Sequence, residues 1–473
     1  MASSQNLFTD YLELHPTEAG YLDLLRIFYS SDLEKRDFFD TPIEDRLSGL
    51  HDRWLVFVSI VGQKVLLRLR NLLTATGSSV ENLMNYPSFN GGYVHLFWNI
   101  FTGNVVKPDS SSAKFRSVIG SLDERVELDA NIRVNDEWYG PALSVMAAKL
   151  AYENEAFVST VLKDHWQMEF LGFFNFWNEY EEQHSTQVIM FQDKKVDPDL
   201  IMVAFRGTSP FDADDWITDL NLSWYELEGV GRVHAGFQKA LGLHKDKGWP
   251  KEIQAISGTK QFAYYTIREK LRELLSQNKN AKFMVTGHSL GGALAILFPA
   301  ILSFHEEKWL LHRMEGVYTF GQPRVGDEKF GDFMKEKLRI YNVKYHRYVY
   351  SNDIVPRLPY DDKTLMFKHF GPSLYFNSLY QGQVLEEEPN KNYFSVPSIL
   401  PSALNAIFEL ARSFIIPFAR GKEYKEGLAE IMFRLIGLIF PGISNHGPQD
   451  YVNLTRLGYF LPKSVDSQEL KLE

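Results

Sequence analysis

Gly287, His288, Ser289, Leu290 and Gly291 spell a GxSxG pentapeptide, a spacing suited to acyl transfer through a serine nucleophile. The letters alone do not decide the matter, because an ordinary glycine-rich strand-to-helix turn with a solvated serine has the same spelling. The flanks add to it. The apolar run Phe283 to Val285 precedes the pentapeptide and Gly292, Ala293, Leu294 and Ala295 follow it, which is the strand, turn and helix order of a nucleophile elbow. In such an elbow the serine occupies a strained turn, and small neighbours let strand and helix backbones approach without Cβ clashes.

A serine hydroxyl is a weak nucleophile, so it needs a base to take its proton and a carboxylate to orient that base. In folds built on this elbow the acid and then the histidine follow the serine along the chain. Val349 and Tyr350 read as the end of a strand, followed by Ser351, Asn352 and Asp353, and a carboxylate just past a strand end fits the acid. Asp327, in a glycine-flanked loop, and the adjacent Asp361 and Asp362 compete with it but read as solvated loop charges. Downstream of Asp353 only His369 and His446 remain as bases. His369 sits in the aromatic-rich segment Phe367 to Phe370 and reads as a packed core histidine. His446 sits in the loop Ser444 to Pro448 and reads as the base.

These residues need a scaffold, and the chain from about Val134 supplies one. A helical stretch, Ala142 to Tyr152, is followed by short apolar strands at Gln187 to Phe191 and Leu200 to Phe205, separated by Asp193 to Asp199 as in a hairpin. A helix from about Phe237, another over Phe262 to Gln277, the strand Lys282 to Thr286, the helix Gly291 to Ser303 and the strand Gly316 to Phe320 come next. Helices alternating with strands predict an α/β fold with a mostly parallel, covered sheet. Residues 1 to about 130 carry none of these patterns; they read as an N-terminal extension for packing or lipid contact, with a loop at Asn85 to Tyr93. Residues 131 to 473 form the catalytic domain, with loops at Pro389 to Pro401 and Ala419 to Gly427 around a helical insertion of about 400 to 440.

The ordered blocks Phe205 to Thr208, Val233 to Phe237, Gly287 to Gly292, Phe320 to Asp327 and Asn352 to Pro356 resemble the class 3, fungal-type triacylglycerol lipases. The N-terminal region, the lack of cysteine and the segment His446 to Tyr451 are similar, more narrowly, to the plant oil-body lipases. The resemblance implies an α/β-hydrolase fold, Asp353 as acid and His446 as base. One oxyanion donor is the backbone N–H of Leu290, the residue after the nucleophile; the resemblance implies Thr208 as the other. Arg206 reads as structural.

Between Pro210 and Trp224, apolar Phe211, Trp216, Ile217, Leu220 and Trp224 interleave with Asp212, Asp214, Asp215 and Asp219, the pattern of an amphipathic lid helix over about 210 to 224. A permanently packed surface helix has the same pattern. Leu404, Ile407, Phe408, Ala411, Phe414, Ile415 and Phe418 form one apolar stripe at helical spacing, and Leu428, Ile431, Met432, Leu435, Ile436 and Ile439 form another; interfacial helices and buried helices account for them equally. Trp54 to Leu73 is a second anchor candidate.

Composition excludes several classes. A net charge of −10 and a pI near 5.8 give no general attraction to nucleic acid. The absence of cysteine removes disulfides, thiolate metal sites and thiol nucleophiles together. The first residues lack a basic start followed by an apolar run, and Trp54 to Gly62 is too short to span a bilayer, so the expectation is an intracellular, unsecreted protein bound peripherally at a lipid droplet or membrane surface. The chemistry requires an acyl lipid substrate such as triacylglycerol, and neither metal nor organic cofactor.

Overall fold

The computed structural model describes residues 8–30, 36–42, 49–243, 249–252, 260–359, 361, 366–391 and 396–460. Its strands are β1 (Phe8–Leu14), β2 (Phe39–Asp40), β3 (Glu169–Asn178), β4 (Gln183–Asp193), β5 (Leu200–Phe205), β6 (Trp224–Leu227), β7 (Gly231–His234), β8 (Lys282–His288), β9 (Met314–Phe320), β10 (Lys344–Tyr350), β11 (Ser373–Phe376), β12 (Gln381–Leu385) and β13 (Tyr459–Phe460). Nine of them form the main sheet in the order β13-β12-β11-β10-β9-β8-β5-β4-β3. The run β5, β8, β9, β10, β11 is parallel, and antiparallel strands flank it at both ends. Strands covered on both faces should be apolar throughout; Leu200 to Phe205 is buried at every position. One apolar core lies between the sheet and the helices Ala263–Gln277 and Leu290–Phe304, and the other includes the helices Tyr139–Leu150 and Pro448–Leu457. With the serine at the end of the central β8, this is the α/β-hydrolase fold.

The predicted central elements are all present, with ends within about four residues of the observed ones; the largest offset is the start of β4, and the β4–β5 hairpin is among them. Two loop assignments change. Asn85 to Phe89 closes a 40-residue helix, Leu50–Phe89, and Tyr93 opens the next, Tyr93–Thr102. The insertion's first helix starts at Val396 and runs through Pro401 to Arg420, so much of the stretch expected as loop is helical. In both cases proline and glycine punctuation suggested a break that tertiary packing overrides.

The N-terminal residues are interwoven with the catalytic ones. β1 pairs antiparallel with β6, making a small sheet in the order β2-β1-β6-β7. The helix Leu50–Phe89 buries Val56 and Ile60 in a core shared with Leu12, Leu14 and Trp224 and lies against the helix Ala213–Leu220: Ser59 Oγ donates to the Leu220 carbonyl (2.9 Å), Arg70 pairs with Asp214 (2.7 Å), and a Cβ on Gly77 would stand 2.5 Å from Phe211 Cβ.

Candidate active site

Ser289 stands between β8 and the helix Leu290–Phe304 with φ 60° and ψ −132°, a strained backbone for a residue with a side chain. The pentapeptide glycines explain themselves sterically. A Cβ on Gly287 would lie 2.1 Å from the Gly291 backbone, and one on Gly291 would lie 2.3 Å from the Phe205 carbonyl oxygen. Leu290 is the first residue of its helix, and the opening N–H groups of a helix have no intrahelical acceptor. Gly207, just past β5, brings its backbone against the serine: a Cβ there would meet Ser289 Cβ at 3.0 Å and the Tyr152 hydroxyl at 2.1 Å. Thr208 follows it and is buried.

Asp353 and His446 come together. The carboxylate is fully buried just past β10 and accepts from His446 Nδ1 at 2.8 and 3.0 Å to its two oxygens, from the Tyr451 hydroxyl at 2.5 Å and from the Val355 amide at 2.9 Å. A carboxylate is acceptor only, so Nδ1 carries the imidazole proton and Nε2 keeps its lone pair. That Nε2 is buried and makes no hydrogen bond among the described residues. The other candidates are engaged elsewhere. His369 Nε2 donates to the Pro356 carbonyl (2.7 Å), with its side chain only 5% exposed, Asp327 caps the helix Glu328–Ile340 by accepting from Phe330 N (2.9 Å), and Asp361 pairs with Lys391 (2.9 Å). Asp362 lies outside the described residues.

Two residues of the site had no role in the sequence argument. Gly321 has φ +61°, and a Cβ there would stand 2.8 Å from His446 Cε1 and 2.9 Å from both His446 Nδ1 and Asp353 Oδ2; Ser289 N donates to the carbonyl of the preceding Phe320 (2.9 Å), so one turn underlies all three groups. His288, inside the pentapeptide, donates from Nε2 to the His446 carbonyl (2.9 Å), accepts from the Tyr152 hydroxyl at Nδ1 (2.9 Å) and stacks its ring on that of His446 at 4.5 Å. Burial, aided by the neighbouring His446, pushes its pKa well below the usual histidine range, so it stays neutral and holds this tautomer. Glycine at an unspecified turn and histidine at an "x" position carry no signal in a lone sequence.

The segment expected as a lid forms the helix Ala213–Leu220, capped by Asp212, whose carboxylate accepts from the Asp214 and Asp215 amides. Ile217 is buried, and Phe211, Trp216 and Leu220 are half-buried, with Phe211 against the helix Leu50–Phe89. Asp215 is buried and accepts from Ser209 N (2.8 Å), tying this helix to the Gly207–Thr208 turn; burial raises its pKa well above the carboxylate range despite Arg206 nearby. Arg206 itself donates to the Ser185 carbonyl (3.0 Å), a structural contact.

A model of the lipase (class 3) family matches residues 202–363. The chain is 43% identical to the triacylglycerol lipase OBL1 of Nicotiana tabacum over 88% of this chain and 85% of that one. The chain belongs to the class 3 lipases. It is also 40% identical to the OBL1 lipase of Arabidopsis thaliana, over 96% of each chain, and 36% identical to that of Ricinus communis, over 95% of each. The match to these relatives runs through the N-terminal residues of this lipase as well as its catalytic ones, as the pairing of β1 with β6 demands of a shared fold.

Proposed function

We propose that this lipase hydrolyses triacylglycerol at the surface of a lipid droplet or membrane, with Ser289 as nucleophile, His446 as base and Asp353 as its orienting acid. The observation that carries the reading is the His446–Asp353 pair, with the uncommitted Nε2 held beside the elbow that presents Ser289. Ser289 Oγ attacks the acyl carbonyl while its proton passes to His446 Nε2, and the resulting imidazolium is stabilised by Asp353. The Leu290 amide and Thr208 stabilise the oxyanion, typically by several kcal/mol of barrier. Collapse expels the glyceride alkoxide, which takes the proton from His446. Water then gives a proton to His446 and attacks the acyl-enzyme, and collapse releases fatty acid and Ser289, which recovers its proton.

The helix Ala213–Leu220 is the lid in this reading. Ser289 is only 3% exposed, which supports a closed site that must open before a long acyl chain can enter. The test is fatty-acid release from emulsified triacylglycerol by wild type and Ser289→Ala. Wild type should be active, with a jump as substrate passes its solubility limit, and the variant should lose activity by at least about 10³-fold. Equal release by the two proteins would refute the assignment, and a smooth rise through the solubility limit would refute the lid. Parallel assays on diacylglycerol, phospholipid and galactolipid read the head-group preference.

A further inference from the structure

The helices Val396–Arg420 and Leu428–Ile439 pack on each other with their polarity inside out. An amphipathic helix on a domain in water turns its charges outward. Here Glu409, Arg412, Glu430 and Arg434 are all buried, and from Ile399 onward Arg420, at the very end of the first helix, is the one exposed charged residue on either. Inside, Glu409 accepts from the Tyr350 hydroxyl, Ser378, Asn405 and Asn445; Arg412 donates to Asp450, Tyr350 and Ser378; and Arg434 bridges Glu426 and Asp450. Outside, Leu404, Ile407, Phe414 and Ile415 are more than half exposed and Phe418 is 92% exposed, joined on the second helix by Met432 and Ile439.

We infer that this inverted helix pair is the surface on which the enzyme lies against lipid, resting on the reading of the site as a lipase. A contiguous apolar face exposed on two adjoining helices marks an interaction surface. Three features select a lipid surface as the occupant. The face is continuous with the catalytic machinery, because the second helix runs into the turn bearing His446: a Cβ on Gly437 would stand 2.1 Å from Ser444 Oγ, and one on Gly447 would stand 3.2 Å from the Phe433 ring. Ile399–Arg420 is long and apolar enough to cross a membrane, yet Glu409 and Arg412 midway along it are locked into the domain, so it lies along the lipid rather than through it. Arg420, Lys422 and Lys425, exposed where the two helices join and outnumbering the one exposed acid there, Glu423, suit the headgroup level. A lipid phase thus meets the protein beside the turn that holds the proposed base.

Flotation of the full chain with triolein droplets coated in phosphatidylcholine tests this. Ile407→Asp combined with Phe414→Asp should lower the floated fraction by at least about tenfold, with emulsion hydrolysis falling in step. Hydrolysis of dissolved p-nitrophenyl butyrate should stay within about twofold of wild type, since both side chains face outward. Phe418→Asp, at the most exposed position, gives the same loss if the double variant folds poorly. Wild-type flotation of these variants overturns the inference, as does a change confined to oligomeric state on size exclusion. Loss of flotation only in Phe97→Asp with Phe101→Asp, on the exposed helix Tyr93–Thr102, also overturns it. Ser289→Ala should float as wild type does. If wild type floats but releases no fatty acid, the lipase reading fails while the flotation comparison still decides the docking surface.

Discussion

Replacing Gly321 by alanine should uncouple stability from catalysis in a way that the turn beneath His446 makes calculable. At φ +61° a Cβ costs about 1 to 2 kcal/mol of backbone strain. The same Cβ would lie 2.8 Å from His446 Cε1 and 2.9 Å from Asp353 Oδ2, whereas carbon contacts settle near about 3.5 to 4.0 Å. Relief therefore needs a displacement of roughly 0.7 to 1 Å in the His446–Asp353 pair, and an error of that size costs about 10²-fold in rate, or about 2.7 kcal/mol of barrier. Gly371 is the control: its φ is +67°, but a Cβ there meets nothing closer than Tyr345 Cδ1 at 3.4 Å. Both variants should lose about 1 to 2 kcal/mol in chemical denaturation. Only Gly321→Ala should lose about a hundredfold in kcat on a dissolved ester, with KM little changed. A Gly321→Ala enzyme with kcat within about twofold of wild type would show that the turn does not position the pair, and the steric argument would fail.

Two further expectations concern buried charge. Arg412→Ala leaves Asp450 with Arg434 but strips a buried partner from it and from Tyr350, so unfolding free energy should fall by about 3 to 5 kcal/mol, measured by denaturant titration; a loss below about 1 kcal/mol would contradict the network. His234 is fully buried, its Nε2 donating to the Asn221 carbonyl at 2.5 Å, and burial pushes its pKa down to about 4. The unfolded chain therefore binds the extra proton first as pH falls below about 6.5, so stability is full above that pH and declines toward pH 4. His234→Gln should remove up to about 3 kcal/mol of that pH-dependent difference relative to wild type, read as the change in unfolding free energy between pH 7 and pH 4; parallel pH curves would refute it.

The elbow was legible in the sequence because its chemistry and its sterics select the same residues: Gly287 and Gly291 are required by backbone approach and Ser289 by reactivity. The parallel strands were legible because they are buried on both faces and so read as unbroken apolar runs. The proposed acid and base followed from chain order and local context, which already set Asp353 above Asp327 and His446 above His369, while the contacts that bring the pair together emerge only in three dimensions. The helix pair shows a different limit. Periodicity identified which of its side chains share a face, but a periodic pattern does not state which way that face points. Ordinary amphipathic logic would have turned Glu409 and Arg412 to water. The strand β1 was missed because its partner, β6, is remote in the chain: Leu14 N reaches Ser223 Oγ across 209 residues of sequence.

That remote pairing has a consequence in time. During synthesis β1 leaves the ribosome long before β6 exists, so its unsatisfied edge must wait while residues 15–223 are made. Until β6 arrives, Leu12 and Leu14 have no Trp224 to pack against. The waiting strand is open to pairing with another nascent chain. Trimming the extension would not relieve the hazard; it would pass the unpaired edge to β6, which follows the helix Ala213–Leu220 directly in the chain.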